Sequence, residues 1–214
     1  MYDIIGIGIR FRIDPGGGAR NVSTPSTPAG RKPRADAERN RSRVLAAARA
    51  LFQERGDEVQ MPEVARAAGV GTGTVYRHFP TRQALVEAAA ELRFAEILQF
   101  ARTDCLRDPE SGQGLARYLR HVGQILADDQ GLSASVAATV GSSAPRGEIL
   151  AQLELAVGEL IDQGRSARTL REDLAVSDVY MLVGALSAII RTGSGDWRRF
   201  IDLAFDGLRP RTGN

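Results

Sequence analysis

The chain has 214 residues, of which 43% are hydrophobic and 25% charged, a composition typical of a folded globular protein. Its longest strongly apolar run, residues 179–190, is 12 residues long, well short of the roughly 20 that a membrane-spanning helix needs. A single cysteine, Cys105, excludes an intrachain disulfide and a cysteine-based zinc site, so we expect a cytoplasmic protein without a membrane span.

The charge is divided unevenly along the chain. Residues 1–83 carry 14 arginines or lysines against 8 acidic residues, a net charge of +6, whereas residues 84–214 carry 14 against 18, a net charge of −4. A basic front half and an acidic back half indicate that only the front half contacts a polyanion.

Residues 1–35 are predicted to form a disordered tail. Three consecutive glycines and a run rich in Ser, Thr and Pro do not favour a packed element, and the weak alternation over residues 1–13 has no second strand to pair with. A start at Val22 would leave an ordinary short tail, so residues 1–21 are hypothesised to lie outside the native protein. The basic cluster at residues 31–34 is either a solubilising segment or an arm that follows DNA phosphates.

From Ala37 the apolar residues recur with helical spacing. They share one face of a first predicted helix, which Gly56 ends. A short second helix is predicted over residues 61–68 and a third over about 72–79. Thr81 is a predicted N-cap for a long fourth helix. The apolar residues of the first helix are Val44, Leu45, Ala48, Leu51 and Phe52.

The back half is helical by the same criterion. Five segments with helical spacing are separated by Gly, Ser, Pro or Asp clusters, and no segment shows sustained two-residue alternation. We therefore predict an all-α fold of about nine helices. The five segments are residues 112–128, 132–140, 146–163, 177–191 and 196–207.

The second and third helices have the size of a helix-turn-helix, over about residues 60–79. Gly69 permits the positive φ of a sharp turn between them, and the third helix would enter the major groove of DNA. Val75 and Phe79 are spaced i, i+4 and should face the core. We therefore predict a three-helix DNA-binding domain over residues 36–83. The residues predicted to reach base edges are Thr72, Gly73, Thr74 and Arg77, and those predicted to reach flanking phosphates are Tyr76 and His78.

The segment from Gly69 to Leu85, GVGTGTVYRHFPTRQAL, resembles the signature of TetR-family transcriptional regulators. The segments AARALF at residues 47–52 and EVARAA at residues 63–68 fit the same pattern. The resemblance is strong over about residues 38–95, and a looser likeness continues to the C-terminal segments.

The resemblance implies a homodimer that binds a palindromic operator in double-stranded DNA, in most members as a repressor, and releases it when a small-molecule effector occupies the larger helical domain. It implies the same groove-facing residues and adds Arg82 to Tyr76 and His78 as a phosphate contact. Two positions depart from the usual pattern, because Gly71 stands where many members have Ser, and Gln60 where many have Thr or Ser. Both lose a hydroxyl group that caps a helix or holds a phosphate.

Residues 84–214 are predicted to form a larger helical domain for ligand binding and dimerisation. Tyr118, His121 and Gln152 are polar groups within broad apolar faces, and they are candidates to orient an effector. The alternative for His121 is an ordinary core or surface histidine. The long helix that begins near Arg82 reaches both domains by its sequence position, which makes it the predicted coupling element.

The predicted dimer interface lies on the last two helices. The helix over residues 177–191 is apolar on nearly all sides and is expected to be buried on all of them. Paired with their copies, the two helices would form a four-helix bundle, whereas the alternative is a helix inside a monomer. The residues predicted at the interface are Val179, Val183, Leu186, Ile190, Trp197, Phe200 and Ala204.

Catalytic and metal chemistry have little support in the sequence. The chain has two histidines and one cysteine, and its glycines match neither a dinucleotide-binding motif nor a P-loop. We therefore expect neither an enzyme nor a bound metal or cofactor. The competing hypothesis is a helical interaction module whose helix-turn-helix does not read DNA sequence.

Overall fold

The computed structural model describes residues 32–140 and 145–210, within which the chain forms nine α-helices and no strand. The predicted all-α fold of about nine helices is confirmed for these residues. None of the described helices is long and apolar enough to cross a membrane. The helices are α1 (Lys32–Arg55), α2 (Met61–Ala68), α3 (Thr72–His78), α4 (Arg82–Phe100), α5 (Gly114–Asp128), α6 (Gln130–Val140), α7 (Gly147–Ser166), α8 (Val176–Thr192) and α9 (Trp197–Leu208).

The first helix begins earlier than predicted. α1 starts at Lys32 rather than Ala37, so the end of the predicted tail is helical. Residues 1–31, which hold the rest of that tail, lie outside the described residues. The division into domains at residues 35 and 83 stays a prediction.

The N-terminal core forms around one face of α1. Val44, Ala48 and Phe52 are completely buried, as their shared helical face predicts, and they pack against α2, α3 and the start of α4. The side chain of Thr81 accepts a hydrogen bond from the backbone N–H of Ala84 at 3.0 Å, which confirms the predicted N-cap of α4.

The long helix α4 belongs to both hydrophobic cores. Its first half places Leu85 and Ala89 in the N-terminal core, and its second half places Ile97 and Leu98 in the C-terminal core. Arg93 lies between these two groups and is only 1% exposed. A helix shared in this way connects the two cores.

Helix α6 returns to the N-terminal core although it lies far along the chain. Leu132 and Val136 pack with the apolar face of α1. Gly131 approaches the backbone carbonyl of Phe52 so closely that a Cβ there would overlap the carbonyl oxygen. The packing therefore does not follow chain order, because a helix from the back half completes the core of the front half.

The C-terminal core joins α5, α7, α8 and α9. Tyr118, Leu119 and Val122 of α5 are buried in it together with Leu160 of α7. Gly123 lets the indole of Trp197 pack directly on the α5 backbone, since a Cβ would lie 2.6 Å from the ring. This contact fixes the first turn of α9 against the core.

The prediction that α8 presents its apolar residues to a second subunit needs correction. Val179, Leu186 and Ile190 are buried in the core of the same subunit, at 1%, 1% and 9% exposure. Together with half-buried Val183 they repeat at i, i+4, i+7 and i+11, the spacing of one helix face, and that face points inward. On α9, Trp197, Phe200 and Ala204 are half-buried, so they remain partly accessible.

Candidate nucleic-acid interface

The turn between α2 and α3 is fixed by backbone geometry. Gly69 adopts φ 63° and ψ 39°, the left-handed conformation that glycine accepts without strain. The backbone N–H of Val70 then donates to the carbonyl of Ala65 at 3.0 Å. Val70 is half-buried against the N-terminal core. The predicted role of Gly69 in the sharp turn is confirmed.

Arg43 of α1 also holds this turn, which sequence reasoning did not find. Its Nη2 donates to the carbonyl oxygen of Ala68 at 2.6 Å and to that of Gly69 at 3.2 Å. The two carbonyls lie at the C-terminal end of α2, where a cation also interacts favourably with the helix dipole. The helical spacing of α1 shows that Arg43 directly precedes the buried face of the helix. It does not predict that the Arg43 side chain contacts a residue 25 positions further along the chain.

The start of α2 keeps a cap despite the substitution of a hydroxyl residue by Gln60. The Glu63 carboxylate accepts a hydrogen bond from the backbone N–H of Gln60 at 2.9 Å, which is one half of a capping box. Arg55 contacts the same carboxylate at 2.8 Å. The hydrogen bond from Arg55, and to a smaller extent the one from the Gln60 backbone, lowers the pKa of Glu63. Glu63 thus remains ionised at the N-terminus of α2.

Helix α3 has one buried face and one open face. Val75 is completely buried and Phe79, just after the helix, is 2% exposed, so these two residues attach the helix to the core as predicted. Tyr76 is 46% exposed, although aromatic residues favour burial. The guanidinium of Arg41 lies 5.4 Å from the Phe79 ring centroid and helps to cover it. The exposed positions are Thr72, Gly73, Tyr76 and Arg77, whereas Thr74 and His78 are half-buried.

The N-terminus of α3 has no side-chain cap. Gly71 occupies the N-cap position with no side chain to accept a hydrogen bond, as expected from its departure from the family pattern. The backbone N–H of Thr74 bonds instead to the carbonyl of Gly71 at 2.8 Å. Three of the predicted groove-facing residues, Thr72, Gly73 and Thr74, therefore lie at a helix start that has no capping side chain of its own.

Arg82 lies at the start of α4, where its guanidinium bonds within the subunit, and its phosphate contact stays a prediction. Its Nη2 donates to both the backbone and the carboxylate of Asp57, at 2.9 and 2.7 Å, and its Nε donates to the carbonyl of Val59 at 3.2 Å. Nη1 reaches the hydroxyl of Thr139 on α6 at 3.4 Å. Through these hydrogen bonds Arg82 connects the α1–α2 turn to α4 and α6.

The three predicted effector residues are not brought together. Tyr118 is buried and lines a cavity in the C-terminal core. The His121 ring instead stacks on Phe100, with ring centroids 3.7 Å apart, and burial lowers the pKa of His121. Gln152 donates to Glu148 at 2.9 Å on the surface of α7. Only Tyr118 of the three lines that cavity.

Two protein-family models match the chain. Residues 44–89 match the model described as bacterial regulatory proteins, tetR family. Residues 109–210 match the model described as transcriptional regulator SbtR-like, C-terminal domain. The first match contains the whole helix-turn-helix, and the second contains α5 to α9.

Solved structures extend the likeness over nearly the whole described chain. The TetR transcription regulatory protein from Mycobacterium vanbaalenii is 38% identical, with a TM-score of 0.62, over 82% of this chain and 98% of that one. The TetR transcriptional regulator SCO0520 from Streptomyces coelicolor is 32% identical, with a TM-score of 0.60, over 80% of this chain and 99% of that one.

Among curated proteins the matching segment is shorter. An HTH-type transcriptional regulator from Staphylococcus aureus is 36% identical over 74 residues, which are 31% of this chain and 38% of that protein's length. The chain therefore matches well under half of this relative.

Proposed function

The chain belongs to the TetR family of transcriptional regulators, and from that premise we propose that it binds a palindromic DNA operator as a homodimer and represses transcription until a small-molecule effector releases it. The observation that carries the proposal is the open face of α3. Thr72, Gly73, Tyr76 and Arg77 are exposed together on a short helix whose opposite side is anchored in the core.

The chemistry of this face suits the major groove. The Arg77 guanidinium has the paired donors that guanine O6 and N7 accept, and the Thr72 hydroxyl bonds to base edges or contacts a thymine methyl group. The Tyr76 hydroxyl reaches a flanking phosphate, which positions the helix without reading sequence. A Cβ added at Gly73 would have no atom within 4 Å, so the role of this glycine is to leave space for the DNA.

The homodimer we propose uses the outward faces of α8 and α9. Met181 on α8 is 67% exposed and Leu203 on α9 is 53% exposed. Large apolar side chains that are this exposed are typical of interaction surfaces. In such a two-fold pair the two α3 helices need to lie about 34–36 Å apart to enter successive major grooves.

The coupling of the two cores supports release by an effector. α4 runs through both cores, and α6 packs on α1 beside the helix-turn-helix. A ligand that favours another arrangement of α4 and α6 changes the spacing of the two α3 helices and so lowers the affinity for DNA.

Selection of operators from a random double-stranded DNA library tests the proposal. We expect a palindrome with two half-sites one helical turn apart, and an affinity that falls steeply with salt concentration because phosphate contacts release counterions. Recovery of no palindrome by folded protein would favour the helical interaction module.

A further inference from the structure

A cavity of about 180 Å³ lies in the C-terminal core between α4, α5, α7 and α8. Its walls are largely apolar, with Ile97, Val122 and Leu153 among the lining residues. Four polar side chains also border it: Arg93, Tyr118, Tyr180 and Ser187. An apolar cavity with a few converging polar groups is the usual form of a small-molecule site.

Arg93 is a buried cation without a carboxylate in contact. It is 1% exposed, and its Nη1 donates to the Ser133 hydroxyl at 2.9 Å, while its Nε has no hydrogen-bond partner among the described residues. The nearby carboxylate of Asp129 is bound instead by Arg49 at 2.9 Å and by Gln53. Burial lowers the pKa of Arg93, and the charge of Asp129 opposes that shift. The guanidinium nevertheless stays protonated, because its pKa is far above neutrality.

Tyr180, which also lines the cavity, carries a second unused donor. Its hydroxyl is buried and has no partner among the described residues. Burial, with a smaller effect from Glu154, raises the pKa of Tyr180 to about 12, so the hydroxyl keeps its proton at neutral pH. Buried donors without partners are rare in proteins because each one forfeits its hydrogen bonds to water. Two of them on one cavity point to an acceptor that binds there.

We propose that this cavity binds a small amphipathic carboxylate, with its carboxylate on Arg93 and Tyr180 and its apolar part against Ile97, Val122 and Leu153. The statement that this carboxylate is the effector rests on the proposed function. The statement that the cavity binds a carboxylate does not. An arginine fork matches a carboxylate with two parallel hydrogen bonds, and the largely apolar walls suit the rest of the ligand.

Charge and size select the ligand class. No acidic residue is found among the described residues that line the cavity, so a cation has no counter-charge there. A dry cavity of about 150 Å³ in another protein accommodates benzene. The cavity here is slightly larger and has donors in its wall, which corresponds to a molecule of about the size of benzoate.

The same arginine connects the site to the DNA-binding half. Ser133 lies on α6 next to Leu132, which is buried in the N-terminal core. A carboxylate bound to Arg93 contacts the same guanidinium that donates to Ser133 of α6, so occupation of the cavity acts on the contact between α4 and α6.

Calorimetric titration with benzoate and its neutral isostere benzamide tests the inference on the full chain. We expect benzoate to bind at least tenfold more tightly, because a charge-assisted hydrogen bond is stronger than a neutral one. Equal affinity for the two compounds, or binding of neither, would overturn the proposal.

Variants identify the site. Arg93→Met should abolish the preference for benzoate over benzamide, whereas Arg107→Met, an equal loss of charge at an exposed position, should retain it. Tyr180→Phe removes only the hydroxyl and should weaken benzoate binding several-fold, which keeps the test decisive if Arg93→Met does not fold. Unchanged benzoate affinity in Tyr180→Phe and in a folded Arg93→Met would contradict the assignment.

Operator binding is measured separately, so that the two proposals fail independently. Protein that binds its operator but shows no preference for the carboxylate overturns this inference alone. Protein that binds benzoate through Arg93 but selects no operator overturns the proposed function alone.

Discussion

Arg49 and Asp129 form an ion pair between residues 80 positions apart in the chain. Nη2 of Arg49 lies 2.9 Å from a carboxylate oxygen of Asp129, whose side chain is completely buried. Nη1 of Arg49 contacts Glu96 at 2.6 Å, and Gln53 donates to the second oxygen of Asp129. This network joins α1, α4 and the residue just before α6.

Asp129→Asn should lower the free energy of unfolding by about 2–3 kcal/mol. The value is below the roughly 3–5 kcal/mol of a fully buried pair, because Arg49 is 23% exposed and keeps Glu96. Urea denaturation measures the change. The adjacent Asp128→Asn is the matched control and should change the free energy by less than about 0.5 kcal/mol, since Asp128 is exposed. An equal effect of both substitutions would contradict the role of the buried pair.

Gly131→Ala should separate α6 from α1. The new Cβ would overlap the backbone carbonyl oxygen of Phe52, which cannot rotate away, so the helices must move apart at a cost of about 1–3 kcal/mol. Thermal unfolding measures the loss. Gly158→Ala is a control within α7, where the nearest atom is a Val176 methyl carbon at 3.9 Å, and it should be neutral or slightly stabilising.

The contribution of the α3 face to DNA binding is tested with Arg77→Ala. Loss of a contact to guanine should weaken operator binding by about 1–3 kcal/mol and relax the sequence preference at one position of each half-site. Arg107→Ala removes the same charge from an exposed site in the back half and should leave the affinity nearly unchanged. Fluorescence anisotropy with the selected operator measures both, and equal losses would indicate only a general charge effect.

Tyr76→Phe should weaken binding to every operator variant by a similar factor. Its hydroxyl is proposed to contact a phosphate, and a phosphate contact carries no sequence information. The expected loss is about 1 kcal/mol, the usual worth of one hydrogen bond. Titration against the operator and a set of single-base variants measures it. A change in the ranking of those variants would show that Tyr76 contacts a base instead.

His121 predicts a pH dependence of stability. Burial lowers the pKa of His121 in the folded protein below its ordinary 6.5, so the unfolded chain takes up the proton first as the pH falls. The contribution of His121 to stability is therefore fully present above about pH 6.5 and decreases as the pH falls below it. His121→Gln should flatten the decrease in unfolding free energy between pH 7.5 and 5.5, and an identical slope in both proteins would contradict the prediction.

The short-range features of this protein follow from the sequence alone. The turn at Gly69, the inward positions of Val75 and Phe79 and the cap of α4 by Thr81 each depend on residues within a few positions of one another. Helical periodicity and backbone preference act at this range, and for that reason the amino-acid sequence by itself predicts the helix-turn-helix.

The contacts between distant helices were decided only by the tertiary structure. Arg82 resembles a phosphate ligand in the sequence, but its charge is satisfied within the subunit by Asp57. The apolar surface of α8 shows no preferred side in the sequence, and packing against α5 selects the face of Val179 and Leu186 for the interior. Arg93 is an ordinary helical arginine in the sequence. It becomes a buried cation because α6, which begins about 40 residues later, closes over it, and no local pattern encodes that approach.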